Sequence, residues 1–134
     1  MGNAEAEIVR LPGEPPSPWE TRFGFSRVVK AGPFVMIGGT TSADAIGCVI
    51  GETVREQTLE IVRKLHGNLA RAGCTFGDVV SAHAYLTDIA LADVVGMTLA
   101  AGLLTAKPLL TMVEVAGLID PRMLIEIELT AYKP

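Results

Sequence analysis

Cysteine and histidine are scarce in this sequence. Only two of each occur among 134 residues, and Cys48 and Cys74 do not have the spacing of metal ligands. We therefore expect both cysteines to be free thiols, buried or in a loop, in a reducing cytoplasm. The sequence accordingly predicts no metal site.

Basic clusters and long apolar runs are missing as well. The 11 Lys and Arg residues form no run and the formal net charge is −4, so the charge pattern of a protein that binds nucleic acid or anionic membranes is absent. Residues Met1 to Arg10 are polar and acidic, with no apolar core of signal-peptide length, and no other stretch is long enough to span a membrane. We therefore expect a soluble, cytoplasmic protein without nucleic-acid or membrane partners.

Apolar residues are abundant by comparison. Hydrophobic residues make up 49 % of the chain and charged residues 19 %, which is more apolar material than a single small domain needs for its own core. A chain of this length fits one domain, which buries about two-thirds of its unfolded surface. The excess predicts that a partner subunit covers part of the surface.

The N-terminal stretch differs in composition from the rest. Four of the eight prolines lie between Leu11 and Trp19, and proline removes backbone donors, so we expect residues 1–21 to form an irregular arm. Within it, Trp19 would cap a hydrophobic surface or shield a ligand. Residues 22–134 are predicted to form the single domain.

The spacing of apolar residues predicts the elements of that domain. Two β-rich runs flank a Lys-Ala-Gly-Pro turn, two stretches have helical periodicity, and three others alternate as strands do. In chain order these are strands at 23–29 and 34–37, a helix at 52–72, a strand at 78–86, a helix at 91–104, and strands at 107–116 and 124–129. This order predicts an α+β fold in which a mixed sheet carries both helices on one face.

The last strand alternates in a way that places its carboxylates. Ile125, Ile127 and Leu129 share one side of the strand, and Glu126 and Glu128 share the other. The apolar row should lie under the helices and the carboxylates on the opposite face. If that face meets water, they are ordinary solvated charges. If neighbouring subunits cover it, one of them becomes a partly buried carboxylate with a raised pKa, which suits an acid or base near neutral pH.

Two other stretches are candidates for a site. Residues Gly38 to Ser42 end a predicted strand in small and hydroxyl residues, which let a backbone approach a ligand closely, although an ordinary loop has the same composition. His83 and Tyr85 share one side of the strand at 78–86. For His83, packing on the sheet surface and catalysis both remain open, because the sequence shows no nucleophile or carboxylate near it.

A series of short motifs resembles the Rid (YjgF) family in order and spacing, from about residue 22 to the C-terminus. The most specific are the Ile-Glu-Ile-Glu ending and the strand that contains Val-Glu-Val. The full series is Gly24–Arg27, Gly38–Thr40, Gln57–Thr58, Ala72–Gly73, Asp78–Val80, Leu86–Asp88, Pro108–Val115 and Ile125–Glu128. The resemblance implies a homotrimer with clefts between subunits, and hydrolysis of reactive enamines and imines without a cofactor.

The same resemblance implies which residues line the cleft. Glu126 matches the carboxylate that positions or activates water. Gly39 matches a position whose backbone borders the cleft, and Thr40 follows it in the same motif. Thr111 is also retained.

Three positions depart from the family pattern, and one of them is a recurrent Asn of the second helix, which falls on Gly96. The family's cleft tyrosine falls on Phe25, which keeps the ring and lacks the hydroxyl. The family's arginine, which grips the substrate carboxylate within a Pro-Ala-Arg-Ser/Thr run, falls on Leu110. Leucine supplies no bidentate, charge-assisted clamp. The cleft is therefore expected to be apolar around Phe25 and Leu110.

Two classes of function follow from these observations. In the first, the protein is an enzyme that uses Glu126 as a general acid and base on a neutral or hydrophobic small molecule. Its substrate would be an imine or enamine, hydrolysed or tautomerised, rather than the usual 2-aminoacrylate. In the second, it is a non-catalytic trimeric protein that binds a small metabolite. The ribonuclease label attached to similar proteins is disfavoured by the acidic balance and the lack of basic or aromatic platforms. Neither class requires a cofactor.

Overall fold

The computed structural model describes residues 7–134, so the first six residues of the predicted arm lie outside the described part. Six strands and three α-helices occur in it. They are β1 (Ile8–Leu11), α1 (Pro18–Phe23), β2 (Val28–Ala31), β3 (Phe34–Thr40), α2 (Val54–Arg71), β4 (Val79–Leu86), α3 (Ala92–Ala100), β5 (Leu109–Glu114) and β6 (Ile125–Tyr132). None of these helices is long and apolar enough to cross a membrane.

The strands form one mixed sheet in the order β1-β2-β3-β6-β4-β5. β4 and β5 are parallel, and all other neighbours are antiparallel. The C-terminal strand β6 therefore lies in the interior of the sheet, between β3 and β4. Helices α2 and α3 pack on one face of the sheet, which confirms the predicted fold class.

The hydrophobic core lies between these helices and the sheet. Ile61, Leu65 and Leu69 are fully buried because they recur at helical spacing and form one stripe on α2. The helix begins with a capping box, in which Thr53 and Glu56 each accept the other's backbone N–H, so that two orphan donors are satisfied. The sheet contributes the predicted row of β6, namely Ile125, Ile127, Leu129 and Ala131.

The prediction of an irregular N-terminal arm is wrong for two of its segments. Strand β1 pairs with β2 at the edge of the sheet, and helix α1 begins at Pro18. Ser17 and Glu20 form a capping box at the start of α1, and proline suits the first helical position, so this pattern favours a helix. Helix α1 also spans the predicted boundary between residues 21 and 22.

The first strand of the predicted hairpin starts later than expected. Phe23 is the last residue of α1, and Gly24 ends that helix with a φ of 82°, a conformation that favours glycine. Strand β2 therefore begins at Val28, and residues 24–27 connect it to α1. This connection runs beside β3, where the Gly38 N–H donates to the carbonyl of Arg27 over 2.8 Å.

The sheet face opposite the helices is called the open face here. Residues paired across neighbouring strands lie on the same face of a sheet, so the register defines the members of this face. They include Phe34, Met36, His83, Tyr85, Leu109, Thr111, Val113, Glu126, Glu128 and Tyr132. The predicted position of Glu126 and Glu128 is thereby confirmed. The apolar members on it are exposed, up to 74 % for Leu109.

Candidate functional site

A cavity of about 300 Å³ lies at the end of β3. Its walls come from α1 and the loop before it, residues 24–27, the end of β3, α2, and the loop before β6. Aromatic and other large apolar side chains form much of the lining. They are Trp19, Phe23, Phe25, Ile119 and Met123. Four ionisable side chains share the cavity with them, namely Glu20, Arg27, Lys64 and Glu126.

Glu126 brings a carboxyl group from the open face of β6 into this cavity. The side chain is half-buried, and no hydrogen bond to it forms among residues 7–134. Burial raises the pKa of Glu126 because it penalises the charged form; the Arg27 guanidinium opposes this shift and Glu128 adds to it. The group is therefore a weaker acid than an exposed glutamate.

Gly39 makes room for that carboxyl group. The register between β3 and β6 shifts between Ile37 and Thr40, so the two glycines there form an irregular segment opposite β6. A Cβ atom on Gly39 would lie 2.5 Å from Oε2 of Glu126 and 2.9 Å from its Cδ. Glycine at this position thus allows the carboxyl group to rest against the backbone.

Arg27 lies on the other side of the cavity and forms an ion pair with Glu20. Its Nη2 is 3.3 Å from Oε2 of Glu20, and the two side chains are 12 % and 4 % exposed. The Glu20 carboxylate is fixed in turn by the backbone N–H groups of Gly13, at 2.7 Å, and Ser17, at 2.8 Å. The guanidinium carbon of Arg27 lies 5.3 Å from the centre of the Phe25 ring, within the range of a cation–π contact.

Lys64 and Asn68 reach the cavity from α2. They are four residues apart and therefore lie on the same side of the helix. Lys64 Nζ donates to the carbonyl oxygens of Thr41, at 2.6 Å, and Ala43, at 2.8 Å. Burial, and after it the nearby Arg27 guanidinium, lowers the pKa of Lys64 to about 8. Asn68 is almost completely buried.

Comparison with known proteins identifies the family. The family model described as "Endoribonuclease L-PSP" matches residues 17–133. This chain belongs to that family, also known as YjgF or Rid. A Mycobacterium tuberculosis protein, Rv2704, described as a member of the YjgF/YER057c/UK114 family, is 35 % identical, and its crystal structure superposes with a TM-score of 0.82 over 94 % of this chain and 99 % of that one.

Two other relatives agree with this assignment. A RutC family protein of Pyrococcus horikoshii is 32 % identical over 110 residues, which cover 81 % of this chain and 86 % of that protein. An uncharacterised protein of Streptomyces coelicolor is 32 % identical over 118 residues, which cover 87 % of each. Membership of the YjgF/Rid family supports a role in processing small molecules.

Four of the predicted site residues meet in the cavity of this YjgF/Rid chain. Phe25, Gly39, Thr40 and Glu126 all line it. The hydroxyl of Thr40 donates to the carbonyl of Gly38 over 2.9 Å, so it stabilises the irregular end of β3 and does not face a ligand as a donor. Trp19, for which the sequence left packing and ligand shielding open, also lines the cavity.

The other two predicted residues do not reach this cavity within one YjgF/Rid chain. Leu110 pairs with Ala82 and Thr111 with His83 on the parallel strand β4. Leu110 therefore lies on the helix side of the sheet and packs against the core. Thr111 lies on the open face, but β4 separates it from β6. Sequence reasoning placed both by motif, and the register of β5 determines which side each one faces.

His83 has the carboxylate neighbour that the sequence did not reveal. It lies directly opposite Glu128 in the pairing of β4 with β6, and Tyr85 donates its hydroxyl proton to Oε1 of Glu128. This hydrogen bond, together with burial, raises the pKa of Tyr85. The sequence could not show this neighbour, because residues 45 positions apart in the chain pair across the sheet.

Sequence reasoning missed the roles of Glu20, Arg27, Lys64 and Asn68. Arg27 was part of a family motif without an assigned function, and α2 was divided into an apolar and a charged side. A signal for the α2 pair was present, since Lys64 and Asn68 directly precede the buried Leu65 and Leu69 and so border the apolar stripe. Glu20 was hidden in the stretch that was predicted to be irregular.

Proposed function

We propose that this chain is a cofactor-independent enzyme that hydrolyses or tautomerises a small imine or enamine, with Glu126 as general acid and base. The carboxyl group of Glu126 carries the proposal. It is half-buried in a cavity, it accepts no hydrogen bond from residues 7–134, and burial raises its pKa. A carboxyl group with a raised pKa exchanges its proton closer to neutral pH than a solvated carboxylate does.

Imine hydrolysis requires proton transfers to nitrogen and from water. In the proposed reaction, protonated Glu126 donates its proton to the imine nitrogen while water adds to the carbon of the C=N bond. The carboxylate then takes a proton from the added water, which leaves a carbinolamine and protonated Glu126. Glu126 next donates this proton to the amine nitrogen, the carbon–nitrogen bond breaks, and the carboxylate takes the hydroxyl proton, so that an amine and a carbonyl product are released. For an enamine with an N–H group, protonated Glu126 delivers its proton to carbon and its carboxylate takes the N–H proton, which forms the imine tautomer.

The lining favours a neutral or hydrophobic substrate. Phe23, Phe25 and Trp19 give the cavity an aromatic wall, and Leu110 replaces the arginine that grips a carboxylate in better-known family members. We therefore propose that 2-aminoacrylate is a poor substrate, because the loss of a charge-assisted contact weakens its binding roughly tenfold to hundredfold.

We also propose that the protein assembles as a homotrimer and that the cavity opens into a cleft between subunits. The open face supports this, since it exposes large apolar side chains, Leu109 among them, that a neighbouring subunit would cover. In such an assembly, Thr111, which lies on the open face, would line the cleft from a neighbouring subunit, whereas Leu110 packs against the core of its own chain. Proteins of this family are usually trimers.

A non-catalytic binding protein is the second candidate. The observation that favours it is the pair Arg27 and Asn68, which line the cavity and carry N–H donors that can bind a ligand without any proton transfer by Glu126. The family description as an endoribonuclease is not extended to this chain, whose net charge is −4 and whose Lys and Arg residues form no run.

The Glu126→Gln variant tests the enzymatic proposal. The amide keeps the shape of the side chain and cannot exchange a proton, so the hydrolysis rate should fall roughly 10²–10⁴-fold. A suitable assay follows the hydrolysis of N-benzylidenemethylamine, a neutral and hydrophobic imine, by its ultraviolet absorbance. A binding protein would show no turnover above the buffer rate, in the wild type or in the variant.

Glu128→Gln and His83→Ala are the matched controls. Glu128 shares the open face with Glu126 but lies one pleat repeat, about 7 Å, further along the strand. Both controls should therefore keep most of the activity. An active protein that is unaffected by Glu126→Gln, yet inactivated by either control, would show that the cluster of His83, Tyr85 and Glu128 carries the chemistry instead.

A further inference from the structure

The guanidinium group of Arg27 is partly buried and has few acceptors. A guanidinium has five N–H donors, and only one of them, on Nη2, meets an acceptor among residues 7–134, namely Glu20 at 3.3 Å. By contrast, the exposed Arg122 donates through Nε and Nη2 to both carboxylate oxygens of Asp120. Since Arg27 lines the cavity, its remaining donors are available to a bound molecule.

This group is also held in place before any ligand arrives. Glu20 contacts it on one side and the Phe25 ring lies 5.3 Å from its carbon on another. Glu20 is itself fixed by the N–H groups of Gly13 and Ser17. A fixed, planar fork of donors loses little conformational freedom when it binds an oxygen atom, which favours affinity.

Asn68 adds a second donor to the same cavity. Its Oδ1 accepts a hydrogen bond from Arg71 at 2.9 Å, which orients the side-chain amide. No acceptor for its Nδ2 occurs in the described part of the chain, although the residue is 2 % exposed and lines the cavity. Arg27 and Asn68 therefore add N–H donors without a partner among residues 7–134 to the lining of the cavity.

The charges that line the cavity decide what kind of acceptor fits. Both cations of the cavity already have partners: Arg27 pairs with Glu20, and Lys64 donates to the carbonyl oxygens of Thr41 and Ala43. A carboxylate ligand would therefore add a negative charge beside Glu20 and Glu126 without a free counter-charge, which is costly in a buried site. An uncharged oxygen can accept the available hydrogen bonds and adds no charge.

We infer that Arg27 is the residue that anchors the ligand, and that it binds an uncharged carbonyl oxygen, as in an amide, a urea or a ketone. The inference deepens the proposed function and rests on the same cavity, since it names the group by which the substrate is recognised. The arginine is not a replacement for the family's carboxylate clamp, because Glu20 already neutralises it.

Binding of benzamide and benzoate to the full chain tests this inference. The two molecules share a ring and differ in the charge of the attached group. We expect benzamide to bind at least tenfold more tightly than benzoate at pH 7.5, measured by calorimetry or by ligand-observed NMR. Tighter binding of benzoate, equal binding of the two, or no detectable binding of either would overturn the inference, and none of these outcomes depends on a variant.

Variants then locate the anchor. Arg27→Met removes the donors and should weaken benzamide binding about tenfold, the worth of one or two hydrogen bonds. Because it leaves Glu20 buried without a cation, the double variant Glu20→Gln/Arg27→Met, which stays charge-balanced, should show the same loss. Arg22→Met, an exposed arginine outside the cavity, is the control and should bind as the wild type does. Unchanged benzamide binding in the double variant would contradict the inference.

The outcome is separable from that of the proposed function. Discrimination between benzamide and benzoate is a binding property, and the Glu126→Gln rate is a catalytic one. If the amide preference holds and Glu126→Gln has no effect on rate, the proposed catalysis fails and the anchor stands. If the rate falls as expected and the preference for benzamide is absent, the proposed catalysis stands and Arg27 is not the anchor.

Discussion

Replacing Gly39 by alanine should destabilise the protein through a single contact. The three atoms nearest to the new Cβ, at 2.5, 2.9 and 3.4 Å, all belong to Glu126. Carbon and oxygen atoms in ordinary contact lie about 3.5–4.0 Å apart, so the carboxyl group must move by roughly 1 Å. Overpacking of this kind typically costs about 1–3 kcal/mol.

An opposing effect reduces that cost. The φ of Gly39 lies outside the left-handed region, so alanine fits the backbone and stabilises by about 0.4–1 kcal/mol because it restricts the unfolded chain. The net expectation for Gly39→Ala is a loss of about 1–2 kcal/mol in the free energy of unfolding. Urea denaturation at one fixed protein concentration measures it, since the stability of an oligomer depends on concentration.

A double-mutant cycle shows whether Glu126 is the cause. In the Glu126→Ala background the obstructing atoms are gone, so Gly39→Ala should be neutral or slightly stabilising. In the Glu126→Gln background an amide of the same size remains, so the loss should persist. If Gly39→Ala is equally costly in the Glu126→Ala background, the glycine is required for another reason and the argument about close approach is refuted.

Three further predictions concern the charges and the assembly. Glu20→Gln should lose about 1.5–3 kcal/mol at pH 7, the worth of hydrogen bonds to a charged group. Burial opposes the ionisation of Glu20, but the N–H groups of Gly13 and Ser17, and then Arg27, outweigh burial and lower the pKa of Glu20. The stability that ionised Glu20 contributes is therefore lost as the pH falls through that lowered pKa. The free energies of unfolding of wild type and variant, measured in urea, should converge in acid. Lys64 should titrate near pH 8, not at its ordinary 10.5, in 13C NMR of the lysine side chains. Between these two pH values the unfolded chain holds the proton and the folded protein does not, so the free energy of unfolding should rise with pH in the wild type and not in Lys64→Met. Light scattering should give three times the mass of the 14.1-kDa chain, and Leu109→Lys, on the exposed open face, should shift the protein towards monomer; a wild-type monomer at micromolar concentration would contradict the trimer.

The parts of the fold that could be predicted are those with local causes. Helix α2 follows from the spacing of Ile61, Leu65 and Leu69, and its start from the capping pair Thr53 and Glu56. The two sides of β6 follow from strict alternation, which has only one arrangement that buries the apolar row under the helices. In each case the residue pattern and the helix or strand that it predicts lie within the same few residues of the chain.

The N-terminal elements were missed because proline was weighed more heavily than its position. Proline disrupts a helix interior but suits its first residue, and Pro18 lies there, directly after the N-cap Ser17. The four-residue strand β1 has no periodicity long enough to recognise, and it forms because β2 offers an edge with which to pair.

The candidate site was predictable only in part because its residues converge from separate elements. Family motifs placed Phe25, Gly39 and Glu126 in one cavity. Lys64 joins them because Nζ reaches the carbonyl oxygens of Thr41 and Ala43, more than 20 positions away in the chain. No local pattern in a helix reports such a contact, and the same holds for the pairing of His83 with Glu128.

The ion pair between Glu20 and Arg27 allows the cavity to hold both a guanidinium donor and a carboxyl group of raised pKa, Glu126. A lone guanidinium beside Glu126 would favour its ionised form and keep the carboxyl group from holding a proton near neutral pH. Arg27 does act in that direction, yet burial outweighs it and the pKa of Glu126 is still raised. Glu20 forms an ion pair with Arg27 at 3.3 Å and neutralises its charge, so the N–H donors of Arg27 remain while the field of Arg27 at Glu126 is reduced. A donor for a neutral ligand and an acid of raised pKa can therefore occupy one small cavity.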